Sequence, residues 1–197
     1  MTDKTPYRTE EALERFIIVT NSGKFFNQIP IGGGKESIDI GIEETDSEFS
    51  FVELKPWNSS NSPMYAIVES LKNLTEYRVI LEKKIKDIRV FDKINLIILA
   101  PWSYYEAYGL ISSSGICHTD KISILRKTLD ELSSEFGTNI CLMALQLDHD
   151  SFNDACRRIC DRERITEQKE IGISGKDAIP ELKRDRWELL VSSDKMP

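Results

Sequence analysis

An α/β domain, with a mixed sheet of about five strands flanked by helices, is what the sequence predicts, and three observations carry that expectation. Apolar residues recur at helical spacing in Ala12, Leu13, Phe16 and Ile17, and again in Met64, Ile67, Val68, Leu71 and Leu74. That period belongs to helices that bury one face. Between and after them come short runs rich in Ile, Val, Phe and Leu at 37–42, 50–55, 95–101 and 140–147, with the length and composition of strands. The chain has 197 residues, enough to bury a substantial core in one domain.

The elements follow in order. Thr9 is suited to cap a first helix, with Glu10 and Glu11 in its first turn, and Asn21-Ser22-Gly23 ends it. Phe25 to Ile31 reads as the first strand, and Gly32-Gly33-Gly34 as a turn into a second, Ser37 to Ile42. These glycines are not a phosphate loop, because Lys35 is followed by Glu36 instead of Ser or Thr and position 29 is Ile29 instead of Gly. A third strand, Ser50 to Lys55, is stopped by Pro56. After the polar connection Trp57 to Ser62, Ser62 and Pro63 can serve as N-cap and first residue of a long helix reaching about Lys84, with Met64, Ile67, Val68, Leu71, Leu74 and Tyr77 on its core face. Asn95 to Pro101 is the fourth strand. The aromatic cluster Trp102, Tyr104, Tyr105 and Tyr108 either covers a core edge, the favoured reading, or stacks nucleotide bases. Ile122 to Phe136 and Ser151 to Arg164 are helices on either side of a fifth strand, Ile140 to Leu147. Residues 1–165 thus form one domain. Residues 166–197 are a polar extension, apolar only at Ile179, Leu182 and Trp187 to Val191, which adds a helix and strand to the same domain or is ordered by a partner.

The formal net charge of −7 argues against a general nucleic-acid coating protein but leaves room for an enzyme with basic groups gathered on one face. Arg157, Arg158, Arg162 and Arg164 are the concentrated basic segment. Interleaving with Asp161 and Glu163 favours a salt-bridged surface over a phosphate-binding one. Cys117, Cys141, Cys156 and Cys160 contain no CxxC pair, and His118 and His149 are too isolated to complete a zinc ligand set. Nothing at the N-terminus reads as a signal peptide, and no apolar run approaches the length of a membrane span. A cytoplasmic protein with reduced thiols and no membrane partner is expected.

Three residues carry the chemistry. Strand side chains alternate with period two, so Glu53 and Lys55 project together from one strand, while Asp39 sits as the ionised group between Ile38 and Ile40 on the strand before it. Acids within apolar strands are costly to bury unless paired or bound to a metal. An antiparallel register with Asp39 opposite Glu53 also puts Glu44 opposite Glu48, leaving the odd-length loop Thr45-Asp46-Ser47 or a five-residue version starting at Glu44. A two-residue turn at Thr45-Asp46 would send Asp39 to the other face.

Asp39, then Glu53-Leu54-Lys55 on the adjacent strand, resembles the motif of the PD-(D/E)XK nuclease superfamily, the restriction-endonuclease-like fold. The likeness covers about residues 10 to 100, with helix, three strands, helix and strand in that family's order. Ile38 stands where the motif has Pro. The resemblance implies a metal-dependent nuclease hydrolysing phosphodiester bonds, with DNA as the expected partner. Asp39, Glu53 and the backbone carbonyl of Leu54 would bind Mg²⁺ or Mn²⁺, and Lys55 would activate water. Glu69 matches a Gln or Glu that the family often places on the following helix; the competing reading is a solvated boundary row of Tyr65, Glu69, Asn73 and Glu76. Many relatives act as dimers, so a homodimer is in view. The alternative is a catalytically inactive domain of the same fold that binds nucleic acid or a protein partner. The acidic composition and the lack of a DNA-recognition module favour it.

Overall fold

The computed structural model describes residues 9–21, 23–31, 37–83, 90–163 and 173–193. The expected glycine turn at Gly32 to Gly34, Lys35, Glu36 and Arg164 lie outside the described residues, as do the side chains of Thr9, Cys160 and Arg162. The chain runs α1 (Thr9–Thr20), β1 (Phe25–Pro30), β2 (Ser37–Glu43), β3 (Glu48–Leu54), α2 (Pro63–Glu82), β4 (Lys93–Pro101), α3 (Trp102–Ala107), α4 (Thr119–Phe136), β5 (Asn139–Leu145) and α5 (His149–Glu163). Three short 3₁₀ turns between Gly175 and Arg186 lead to β6 (Glu188–Ser192).

The sheet is open and mixed, with its strands in sequence order. β1, β2 and β3 are antiparallel neighbours, β4 and β5 continue parallel to β3, and β6 returns antiparallel to β5. Six strands therefore replace the five expected. The sixth comes from the C-terminal stretch, where the five-residue segment Glu-Leu-Leu-Val-Ser is too short for its period to stand out in the sequence.

Helices cover both faces. On one, Phe49, Phe51, Leu96, Ile98, Ile140 and Leu142 pack with Ile67, Leu71 and Leu74 of α2 and Leu125 and Leu129 of α4. On the other, Ile40, Val52, Leu54, Ile97, Leu99 and Cys141 pack with Leu13, Phe16 and Ile17 of α1 and with Phe152 and Cys156 of α5. The C-terminal turns are tied to the end of α1: Asn21 donates to the Leu182 carbonyl at 2.8 Å and accepts from the Arg184 N–H at 2.7 Å, while Trp187 and Leu182 are buried.

Helix α2 corrects one expectation. Its cap is as read, Ser62 accepting from the Tyr65 N–H at 3.2 Å with Pro63 in the first position. The core face differs, however: Met64 is 40% and Val68 58% exposed, and the buried stripe is Ala66, Ile67, Ser70, Leu71, Asn73 and Leu74. Small Ala66 and Ser70 let the helix lie on the sheet with a different edge down, which carries Asn73 into the core and turns Glu69 toward the strand ends. The aromatic cluster is structural in part. Tyr104 and Tyr105 are fully buried, and the Tyr104 hydroxyl donates to the Asn61 carbonyl at 2.8 Å, holding the connection into α2.

Among the described residues no helix is long and apolar enough to cross a membrane. At the centre of β2, a Cβ on Gly41 would come within 2.1 Å of Ile29 Cδ1 and 2.5 Å of Phe49 Cζ. Gly41→Ala should therefore overpack this point and destabilise the protein by about 1–3 kcal/mol, read as a lower urea midpoint with unchanged slope.

Candidate functional site

Register brings the acids together. Ile40 pairs with Val52 and Gly41 with Phe51, and one further step of the ladder sets Asp39 opposite Glu53. The loop closes as the odd-length alternative requires, with the N–H groups of Glu44 and Thr45 both donating to the Glu48 carbonyl. Regular pairing stops at Asp39. The Leu54 N–H is met by the Asp39 carboxylate, Oδ2 at 2.8 Å. Ile38 packs in the α2-side core while Ile40, two residues on, packs in the α1-side core, so the strand rotates at Asp39 and breaks the period-two alternation. The acid is thereby presented at the end of the sheet, where helices from both faces reach it.

Lys55 is the hub. It is 4% exposed, and its ammonium lies 2.5 Å from Glu53 Oε1 and 3.2 Å from Glu69 Oε2. Glu69 is thus in contact with the site, half-exposed at its rim. Burial works to lower the Lys55 pKa, but the fields of Glu53, Glu69 and Asp39 outweigh it and hold the amine above its ordinary range. It is an ammonium at any physiological pH.

The acids behave oppositely. Desolvation raises the pKa values of Asp39 and Glu53; the Leu54 N–H and then Lys55 offset part of the rise at Asp39, while at Glu53 the charge of Asp39 adds to it and Lys55 opposes. Two further acids join them from α1. Glu14 is 3% exposed and pushed up to about 7 by burial, then by the charge of Asp39. Glu10 is raised by burial, with Lys55 opposing and Glu69 adding to the shift. Four carboxylates, those of Glu10, Asp39, Glu53 and Glu69, thus share the field of one ammonium, and Glu14 joins the cluster through Asp39 and Glu10.

Sequence reading treated Glu10 as a first-turn acid and passed over Glu14. At 100° per residue Glu10 and Glu14 follow Ile17 by about 20° and 60°, so these acids line one edge of the apolar stripe formed by Ala12, Phe16, Leu13 and Ile17. The basic segment does not contribute to this cluster in the same way. Arg157 is exposed and paired with Asp154 at 3.2 Å.

Among the described residues no three acidic, His or Cys side chains converge on a point ready to coordinate an ion as they stand, since Glu53 faces Lys55 and Asp39 accepts from Leu54. The donor chemistry nevertheless fits a hard divalent cation, which is content with one or two carboxylates and several waters. An excess of buried carboxylates calls either for protons or for such an ion. No family model, no curated protein and no solved structure matches the chain.

A pH dependence follows from the raised acids. The folded state holds protons that the unfolded state releases, so stability is greatest at the acid side and falls as pH rises from the ordinary carboxylate range through the folded values, near 7 for Glu14. Without divalent ions the melting temperature should be higher at about pH 5.5 than at about pH 8. Glu14→Gln should flatten that slope in thermal melts, and an unchanged slope would refute the assignment.

Proposed function

We propose that this chain is a metal-dependent nuclease of PD-(D/E)XK type, acting on phosphodiester bonds in nucleic acid, with DNA the expected substrate. One observation carries the reading: Asp39, Glu53, Lys55 and Glu69 meet at one end of the sheet in the register the motif requires. Asp39 and Glu53, with the backbone carbonyl of Leu54, are the residues that would hold Mg²⁺ or Mn²⁺. When bound, the ion would polarise the phosphate and make a coordinated water acidic. Lys55, permanently charged, is a donor and not a proton acceptor; it orients the attacking water oxygen and offsets charge gathering on the phosphate. Glu69 fixes the ammonium from the rim. Buried Leu54 and Leu99 exclude water from beneath the site.

A second reading has its own support. Lys55 is already satisfied by two carboxylates, and such a closed network is stable without metal, as suits an inactive domain of this class that binds nucleic acid or a protein partner. Plasmid cleavage in Mg²⁺ or Mn²⁺ separates the two. Wild type should cut, Asp39→Ala and Glu53→Ala should not, and Lys55→Ala should retain ion binding but lose about 10²–10³ in rate. Glu69→Gln should cut more slowly with little change in stability.

Ion binding is tested apart from activity. Mg²⁺ or Ca²⁺ should raise the melting temperature of the wild type by mass action and leave Asp39→Ala and Glu53→Ala unmoved. Equal shifts in all three proteins would remove the metal from this site and leave the non-catalytic reading.

A further inference from the structure

The opposite end of the strands carries a second polar region. Lys55 follows the last residue of β3, whereas Glu48 opens that strand, and Lys93 and Asn139 open β4 and β5, which run parallel to it. The seven residues of β3 set the two ends about 20 Å apart. On the face packed by α1 and α5, Val52, Ile97 and Cys141 form one apolar row across the three strands. The row before it is Ser50, Asn95 and Asn139, paired in register and all buried. Burying three polar side chains in one row costs free energy that an apolar row would not.

Together with Glu44, Glu48, Lys93 and Arg184, these side chains line a cavity of about 210 Å³. Asn139 donates its amide to Asn95 at 3.0 Å, Asn95 donates to Glu48 at 2.7 Å, and Lys93 lies 2.8 Å from the same Glu48 oxygen, so one half of the lining is closed upon itself. The other half is loose. Glu44 accepts from the Ser50 hydroxyl at 2.8 Å, yet Arg184 meets that same oxygen, Oε1, only at 3.5 Å, and Oε2 accepts no hydrogen bond among the described residues. Arginine has five N–H donors. Arg184 spends one on Glu44 and one on the Met143 sulfur, a weak acceptor, at 3.0 Å. It is nevertheless held in place, its guanidinium 4.6 Å from the Trp187 ring centre and its backbone N–H donating to Asn21 at 2.7 Å. The side chains of Arg184 and Glu44 are 33% and 30% exposed, so a solute can reach both.

We propose that this cavity binds a small zwitterion, a free α-amino acid with a polar side chain, its carboxylate on Arg184 and its ammonium on Glu44. The inference stands apart from the nuclease reading, since no residue of the Lys55 cluster takes part. Two acids and two cations line the cavity, so a ligand with a single charge would leave one wall charge uncompensated, while a zwitterion keeps the balance. In an α-amino acid the nitrogen and the carboxyl carbon lie about 2.5 Å apart on one carbon. An acid and a guanidinium already side by side at 3.5 Å can open to receive that pair, closing a ring of alternating charges. The planar fork of Arg184 suits a carboxylate, and its stacking on Trp187 fixes it before the ligand arrives. Size points to the same class, because 210 Å³ lies below the roughly 300–1,000 Å³ of sites for drug-sized molecules. The buried amides of Asn95 and Asn139 favour a polar side chain over an aliphatic one.

The test is calorimetry and thermal melting of the full chain with each standard L-amino acid, singly and at millimolar concentration. At least one polar, uncharged member should bind at one site per chain and raise the melting temperature. Its N-acetyl and carboxamide derivatives, which remove the ammonium and the carboxylate in turn, should each bind at least about tenfold more weakly. Glu44→Gln and Arg184→Lys should weaken the amino acid by a similar factor, the second because lysine keeps the charge but loses the fork. Binding by none of the amino acids overturns the inference, as does equal binding of the two derivatives, which would show that the charge pair plays no part. If both variants fold and bind as the wild type does, the ligand sits elsewhere and the inference falls. If either fails to fold, the derivatives decide the matter on the wild-type protein alone.

Discussion

The ammonium of Lys55, lodged between Glu53 and Glu69 and within the field of Asp39 and Glu10, is the constraint on which the end of this sheet is built. Removing an ionised group from water costs several kcal/mol even after relaxation, and one pair offsets that only when the geometry is good. The arrangement survives because it is mounted on two independent apolar layers. Phe51 and Leu71 brace it from one face, Leu54 and Leu13 from the other, so the cost falls on a body with two cores. Helices α1 and α2 would be ordinary covering elements without it. With it, each must turn a specific acid toward the strand ends.

That requirement explains features that otherwise look like flaws. Val68 is left in solvent so that Glu69 can reach Lys55. Acids line the edge of the α1 stripe beside Ile17. The connection after Pro56 is held by the hydroxyls of Tyr104 in α3, at Asn61, and of Tyr108 just beyond it, at Ser59. The angle at which α2 leaves the sheet is therefore set by side chains that never touch the charges.

Much of this was legible in the sequence, and the remainder was hidden for physical reasons. Strands β2 and β3 and their register could be read because acids at Asp39 and Glu53 within apolar runs allow one pairing that keeps them together. Glu69 stood out through the resemblance, which expects an acid or amide on the helix after the Glu-x-Lys strand; spacing alone leaves it in a row with Tyr65, Asn73 and Glu76. The facing of α2 could not, because it depends on how closely Ala66 and Ser70 approach the sheet, and periodicity weighs Met64 and Val68 more heavily than small residues. Gln28 was invisible: its backbone φ of 44° is imposed by tertiary structure, and no composition rule marks a glutamine for left-handed backbone. Glu14 was faint, since an acid beside an apolar stripe reads as an ordinary boundary residue until its burial is seen.

Strand β6 has a consequence for the order of assembly. It occupies the outer side of β5, and Leu182 and Trp187 just before it seal the base of α1. On the ribosome, therefore, every element bearing the charged cluster has emerged while the edge of β5, with Cys141, Leu142 and Ala144, is still unpaired. An apolar strand edge of this kind templates association with other chains. The last stretch of the chain is thus a cover that arrives late, and the nascent protein must pass through an interval in which its interior is built but its side stands open.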